Sequence, residues 1–276
     1  MDELKLQQEK LLSMMKFFHQ YCEEKKLTYI AVDGTMLGAI RHKGFIPWDD
    51  DIDLGMPRKD FQRLMRDAGV VGGKYYLEGP DSADERYCYP YAKFYDMGTT
   101  MIENTRQKPI RGIFIDIFPL DGLTDEEDKI DSSYREVQKY KNYLLLRTMN
   151  IRKDRKWYKN LLIRLFRLIP FKSFNEKILC HSIDTLCRKK DFDETRYGGN
   201  LLGFWGTREV MDRDIIGTPV LYDFEDTKIY GAEKYDAYLT KLYGDWRQLP
   251  PEEKRVAHHD YYLNLSMPYK EYETSK

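Results

Sequence analysis

The sequence predicts a mixed α/β core interrupted by a helical insertion, and three observations carry that reading. Up to about residue 120, short apolar, β-branched stretches alternate with helical segments and are separated by Gly, Pro and Asp. From Thr124 to about Lys190 the pattern changes to long helices. From Tyr197 aromatic strands return with one clear helix, and no internal repeat or low-complexity linker divides the chain. A length of 276 residues and 33.0 kDa suits one large domain with a sizeable core. Within that domain, 1–276, the expected parts are an N-terminal helix (1–26), an α/β core (27–123), the insertion (124–196) and a C-terminal part that completes the core (197–276).

In chain order, MDELKLQQEKLLSMMKFFHQYCEEKK places Leu4, Leu11, Met14, Met15, Phe18 and Cys22 on one side of a helix. It reads as a packing helix rather than a leader. LTYIAV is a short strand ending at Asp33-Gly34-Thr35, MLGAIRHKG is a helix stopped by Gly44, and DIDLGM alternates like a strand entering a core. Pro57 opens the helix RKDFQRLMRDAG, which Gly69 closes. KYYLEG, YAKFYD, TTMIEN and GIFIDIF follow as strands. The insertion starts at TDEEDKIDSSYREVQKYKNYLLL, where Thr124 and Glu127 have the spacing of a capping box. EKYDAYLTKLYG is the helix of the last part.

Composition narrows the function classes. A formal charge of -1, from 45 basic and 46 acidic side chains, gives no bulk attraction to a polyanion. No nucleic-acid partner is expected, and a bound nucleotide must be held by local chemistry. With 42% hydrophobic residues, 22 Tyr and 13 Phe, the chain is a folded, aromatic-rich one. Cys22, Cys88, Cys180 and Cys187 form no CxxC pair, which argues against a zinc knuckle or a thioredoxin-like site. Together with the absence of a leader pattern, this points to a reducing, cytoplasmic location. No run approaches the roughly 20 apolar residues of a membrane span.

The stretch GAIRHKGFIPWDDDIDLGMP, residues 38–57, sets Asp49, Asp50, Asp51 and Asp53 within five positions. Two carboxylates about 4 Å apart repel by roughly 4 kcal/mol at an effective dielectric of about 20. The run therefore either fans into water or holds a cation. A calcium loop fails, because its sixth position is Leu54 instead of Gly and Pro57 and Arg58 intrude. On a strand, Asp49, Asp51 and Asp53 share a face while Asp50 and Ile52 point away. Apolar Trp48, Ile52, Leu54 and Met56 put these acids at the mouth of a core strand rather than in a solvated turn.

Asp116 lies between Ile115 and Ile117 in the apolar strand GIFIDIF, where an unpaired charge is expensive. Either backbone donors satisfy it, or Asp51, Asp53 and Asp116 converge on Mg²⁺, a hard cation that favours carboxylate and phosphate oxygens. Gly34-Thr35 fits the second reading, since Gly admits a close phosphate, Thr offers a hydroxyl and the next helix presents its N-terminal N–H groups. No Walker loop, G-x-G-x-x-G or G-x-S-x-G occurs.

DGTMLGAIRHKGFIPWDDDIDLGMPRKDF closely resembles the signature of the LicD/fukutin family, phosphotransferases on a nucleotidyltransferase fold. YAKFYD, IFIDIFPLDG and YDAYLTKLYGDWRQLPPEEKR look like its downstream segments, so the resemblance runs discontinuously from Leu27 to Arg255. It implies a nucleotidyltransferase-like mixed sheet, with Gly34 and Thr35 as the phosphate-facing element. Asp51 and Asp53 would be paired metal ligands and catalytic residues, with Asp116 as the third carboxylate, ligand or base. One or two Mg²⁺ ions, or Mn²⁺, would be the cofactor. Arg41, His42 and Lys93 match the family pattern as substrate-side cations, with Lys43 beside them. Trp48 and Asp49 border the same site, Trp48 reading first as a packing residue and second as an aromatic wall for a quaternary ammonium. His258 and His259 would line a pocket at most. The fukutin-related zinc loop and membrane anchor have no counterpart here, so the chain looks like the bacterial branch. Its members transfer phosphocholine from CDP-choline to cell-surface glycan precursors, such as those of teichoic-acid-like polymers or lipopolysaccharide.

Other outcomes stand beside this one. The same fold could move ribitol or glycerol phosphate from a CDP carrier, or transfer a nucleotidyl group. A metal-dependent glycosyltransferase would use Asp51-Ile52-Asp53 but leave Gly34-Thr35 and Asp116 without a reason, and a choline- or glycan-binding module would need tyrosines at a repeat period. Finally, IRKDRKWYKNLLIRLFRLIPFK, residues 151–172, gathers Trp157, Tyr158, Leu161, Leu162, Leu165, Leu168 and Ile169 on one helical face. Arg152, Lys156, Lys159, Arg164 and Arg167 gather on the other. Most such faces pack on a core, which is the first expectation. The second is peripheral contact with the inner face of the membrane, where family acceptors are often lipid-linked.

Overall fold

Helix α1 (Glu3–Lys25) lays Leu11, Met14, Met15, Phe18 and Cys22 against a mixed sheet in the computed structural model of the chain, burying all five. The structure describes residues 3–153, 155–168, 175–257 and 261–275. After α1 come β1 (Ile30–Ala31), α2 (Asp33–Arg41), β2 (Asp53–Pro57), α3 (Arg58–Leu64), β3 (Gly69–Val71), β4 (Tyr75–Glu78) and β5 (Ala92–Asp96). The core continues with β6 (Thr100–Glu103), β7 (Ile110–Arg111) and β8 (Phe114–Thr124). Helices α4 (Ile130–Thr148), α5 (Trp157–Leu168) and α6 (Glu176–Cys187) form the helical part. The chain then returns through β9 (Tyr197–Gly199), β10 (Val210–Asp212), α7 (Arg213–Ile216), β11 (Val220–Phe224), β12 (Thr227–Gly231), α8 (Tyr235–Tyr243), β13 (Tyr261–Asn264) and α9 (Tyr269–Thr274).

The main sheet runs β1-β2-β8-β5-β4-β3, and β9 extends it from the far half of β8 and carries β10. β8 is its spine. It pairs parallel with β2 and antiparallel with β5, a register that sets Asp116 opposite both Asp53 and Lys93. β11 and β12 form a hairpin, and β13-β6-β7 a small separate sheet. The mixed α/β class expected from the sequence is the class observed.

Behind the site the helical part is tied to the sheet by a buried ion network. Arg58 on α3 donates to both carboxylate oxygens of Asp121 on β8, at 2.7 and 2.5 Å, and to Asp184 on α6 at 2.8 Å. Such a bidentate pair is strong because the guanidinium fork matches the carboxylate.

Several local expectations shift. Asp49 to Ile52 have no regular structure, and the strand begins only at Asp53. Gly34 and Thr35 belong to the first turn of α2 rather than to a corner before it. The Arg58 helix ends at Leu64 and passes through a 3-10 turn, while Gly69 opens β3. Thr124 does not cap a helix: β8 continues through it in pairing with Tyr197, and α4 starts at Ile130. The 151–172 helix starts at Trp157, and its residues 169–172, like His258 and His259, lie outside the described residues.

Candidate active site

Parallel pairing of β2 with β8 brings Asp53 beside Asp116 at the ends where both strands begin. Burial pushes the Asp53 carboxyl well above the usual carboxylate range, and the charges of Asp51, Asp116, Asp33 and Asp49 push it the same way. Burial also raises Asp116, to about 6, while Lys93 opposes it and Glu103 and Asp51 reinforce it. Asp51 thus acts on both strand carboxylates. The three acids singled out from the sequence form one electrostatic unit.

Lys93 is the partner of Asp116, donating from Nζ to Oδ1 at 2.8 Å with its side chain only 1% exposed. The ammonium lies 3.3 Å from the ring centroid of Phe114, 4.5 Å from Tyr89 and 5.5 Å from Tyr91, and 3.6 Å from the Glu103 carboxylate. The aromatic faces and two carboxylates stabilise a cation removed from water. Its place is under Asp116 rather than on an open phosphate-binding rim.

The acidic segment is pinned by α1. Gln7 donates its side-chain amide to the Asp50 carbonyl at 2.7 Å, and Gln8 does the same to Asp49 at 2.8 Å. Tyr261 on β13 donates to the buried Asp50 carboxylate at 2.7 Å. Asp49, Asp50 and Asp51 each offer an oxygen within 4.8 Å of the others, the tightest such set among the described residues. That set is shifted along the chain from the Asp51, Asp53 and Asp116 trio, whose last two members arrive from the sheet.

At the start of α2, a Cβ on Gly34 would come 2.8 Å from Asp49 Oδ2, so any side chain there would displace the acid. The Thr35 hydroxyl oxygen accepts the Asp53 N–H at 2.8 Å, fixing β2 to α2. Asp33 sits in the left-handed region at φ 48°, and burial, then Asp51, push its carboxyl up to about 7. A nonglycine residue held there marks a constrained corner.

The cations before the acidic run form a separate group. Arg41 donates to His42 Nε2 at 2.9 Å and to the Trp246 carbonyl at 2.9 Å, and His42 meets Trp48 edge-on at 6.3 Å between centroids. Arg255 covers the Trp48 ring at 5.8 Å. Burial, then Arg41, lower the His42 pKa. Tyr243 on α8 links this group to the acids, since it is within electrostatic reach of Arg41 and of Asp33, Asp49 and Asp53. Lys43 stands apart, exposed in a left-handed turn.

Residues 26–151 match the model of the LicD/FKTN/FKRP nucleotidyltransferase domain. Nearly the whole chain aligns with the lipopolysaccharide cholinephosphotransferase LicD of Haemophilus influenzae: 30% identity over 265 residues, covering 94% of this chain and 97% of that one. The chain belongs to the LicD family. With it comes membership of a phosphotransferase family, as the signature led us to expect. An uncharacterized protein of Rickettsia typhi is 40% identical over 58 residues, 20% of this chain and 19% of its own, and one of Rickettsia prowazekii is 42% identical over 56 residues, 20% of this chain and 21% of its own.

In this LicD-family chain the groups that sequence reasoning missed are Asp33, Tyr243 and a buried polar set behind Asp33. Lys141 on α4 donates to the carbonyls of Leu201 and Gly203, at 3.3 and 2.7 Å, and burial lowers it to about 8. Glu209 is raised by burial first and by Asp33 second. Only Asp33 carried a local signal, its place beside Gly34-Thr35; Tyr243, Lys141 and Glu209 come from remote segments. As a donor set, Asp51, Asp53 and Asp116 offer hard oxygen atoms alone, and four neighbouring carboxylates destabilise the charge on Asp53. Hard oxygens suit a divalent cation such as Mg²⁺ or Mn²⁺, but among the described residues the acids whose oxygens gather within 4.8 Å of one another are Asp49, Asp50 and Asp51, not the expected trio.

Proposed function

We propose that this protein transfers phosphocholine from CDP-choline to a sugar hydroxyl of a lipid-linked glycan precursor of the lipopolysaccharide or teichoic-acid-like kind, releasing CMP. The observation that carries the reading is the register that sets Asp53 beside Asp116 with Asp51 acting on both. The full-length similarity to an enzyme named for phosphocholine transfer onto lipopolysaccharide supports the choice of group and acceptor.

In the reaction the sugar oxygen forms a bond to the phosphorus that bears choline, and the bond from that phosphorus to the bridging oxygen breaks as CMP leaves. Asp51, Asp53 and Asp116 would hold the cation, Mg²⁺ or Mn²⁺. When bound, it would neutralise the pyrophosphate oxygens and favour the alkoxide form of the attacking hydroxyl. The protein's own part is positioning and charge. Gly34 leaves room at the start of α2 for the Asp49 carboxylate, which any side chain there would displace. Thr35 holds β2 against that turn through the Asp53 N–H. Lys93 orients Asp116 through Oδ1, and where Asp116 serves as base instead of third ligand it takes the hydroxyl proton. Arg41 supplies positive charge within electrostatic reach of Tyr243, and His42, neutral because burial and Arg41 lower its pKa, accepts from that guanidinium and steadies it. A cytidine nucleotide donor places the work in the cytoplasm.

A donor screen with CDP-choline, CDP-ribitol and CDP-glycerol tests the assignment. Turnover with CDP-choline in the presence of Mg²⁺ is expected to exceed that with the other two at least tenfold. Turnover led by CDP-ribitol or CDP-glycerol would keep the chemistry and replace the substrate.

A further inference from the structure

Helix α5 presents its apolar side outward. At about 100° per residue, Trp157, Leu168, Leu161, Leu165, Tyr158 and Leu162 fall within an arc of about 140°. All are exposed, Trp157 and Leu168 by 75% each and Leu162 by 59%. The opposite side holds the helix to the protein: Ile163 is buried, Phe166 stacks on Tyr143 of α4 at 5.5 Å, and Arg167 donates to the Met149 carbonyl. The expectation that the apolar face packs on the core is therefore overturned for the described residues. A continuous exposed apolar strip of this kind marks an interaction surface.

Its charge selects the occupant. Between 151 and 168 stand seven basic residues, Arg152, Lys153, Arg155, Lys156, Lys159, Arg164 and Arg167, against one acid, Asp154, in a chain whose formal charge is -1. Arg164 and Lys159 flank the apolar arc at its two edges and are exposed. A second copy meeting this face across a two-fold axis would bring the same cations together, which opposes pairing. A surface that offers apolar depth in the middle and negative charge at the rim complements it.

We infer that α5 seats the protein on anionic phospholipid, its apolar arc in the headgroup boundary and its lysines and arginines on the phosphates. The active site is then held at a fixed offset, because α4 contacts α5 through Tyr143 and places Lys141 within electrostatic reach of Asp33. This gives the proposed transfer its access to lipid-linked acceptors, while the docking itself does not depend on that reading.

Co-sedimentation of the full chain with vesicles tests it. With phosphatidylcholine containing phosphatidylglycerol, wild type binds at low salt and at least tenfold more weakly at high salt, and it does not bind phosphatidylcholine alone. Lys159→Glu with Arg164→Glu weakens binding about twentyfold, and Leu161→Ser with Leu168→Ser about tenfold. The equally charged control, Lys228→Glu with Lys254→Glu at exposed sites, stays within about twofold. Activity on a soluble acceptor mimic is unchanged in all of these, which separates docking from catalysis. The inference is overturned if wild type ignores anionic vesicles, if the control loses as much as the α5 charge variant, or if the serine variant binds normally. It is equally overturned if wild type is a dimer in lipid-free solution that the serine variant dissociates.

Discussion

Asp53 concentrates the strain of the site, since four other carboxylates act on it and it is itself partly buried. Removing its charge should therefore relieve the metal-free protein while destroying transfer. Asp53→Asn is expected to lower kcat by about three orders of magnitude, as for loss of a cation ligand at the reacting group, and to melt no lower than wild type without metal. The same groups set a pH dependence. Asp116 rises to about 6 and Asp33 to about 7 on folding, from an unfolded value of about 4. The folded state binds more protons, so the stability these groups contribute is fully present below pH 4. It is lost as pH rises from about 4 through about 7. Thermal melts in chelator should decline across that window, and Mg²⁺ should flatten the decline; a metal-free Tm that climbs through it would contradict the electrostatic account. Lys93→Met removes the group that holds Asp116 down. Its acidic activity limb should move up by about one pH unit or more, a shift that mere loosening of the fold would not produce.

At the scale of elements, the buried network of Arg58, Asp121 and Asp184 predicts how the helical part is held. Asp121→Asn removes the bidentate partner of a cation that stays buried. Loss of about 3 kcal/mol is expected, read as a lower urea midpoint with the donor KM unchanged. An unchanged midpoint would mean that Asp184 alone suffices. The same elements show what a sequence conveys. Alternation located β2, and short apolar and aromatic runs bounded by Gly, Pro and Asp located β5 and β8, because each strand's burial is written in its own residues. Which strands pair is not written there, so Lys93, 23 positions from Asp116, could be matched to the family pattern but not recognised as its ion partner. Thr124 and Glu127 had the spacing of a helix cap, yet pairing of β8 with β9 overrode that local signal. Alternation set Asp50 apart from Asp49 and Asp51, but these residues are not in a strand, and all three carboxylates gather within 4.8 Å of one another.

For the whole molecule, one spine strand carries a carboxylate of the site at one end and the anchor of the helical part, Asp121, further along. Local rules identified the acidic half of the site because Asp51 and Asp53 lie close in sequence and Asp116 stands out in an apolar strand. Tyr243, Lys141 and Glu209 stayed hidden because only the closed fold brings α8, α4 and the segment before β10 to Asp33. The account rests on which bond of the donor breaks. CDP-choline carrying one label in the choline and another in the cytidine, incubated with the protein, Mg²⁺ and a glycan acceptor, reads this directly. The choline label should pass to the acceptor and the cytidine label should remain in free CMP, with both processes lost in Asp53→Asn. Cytidine label on the acceptor would instead mean nucleotidyl transfer and contradict the proposed reaction.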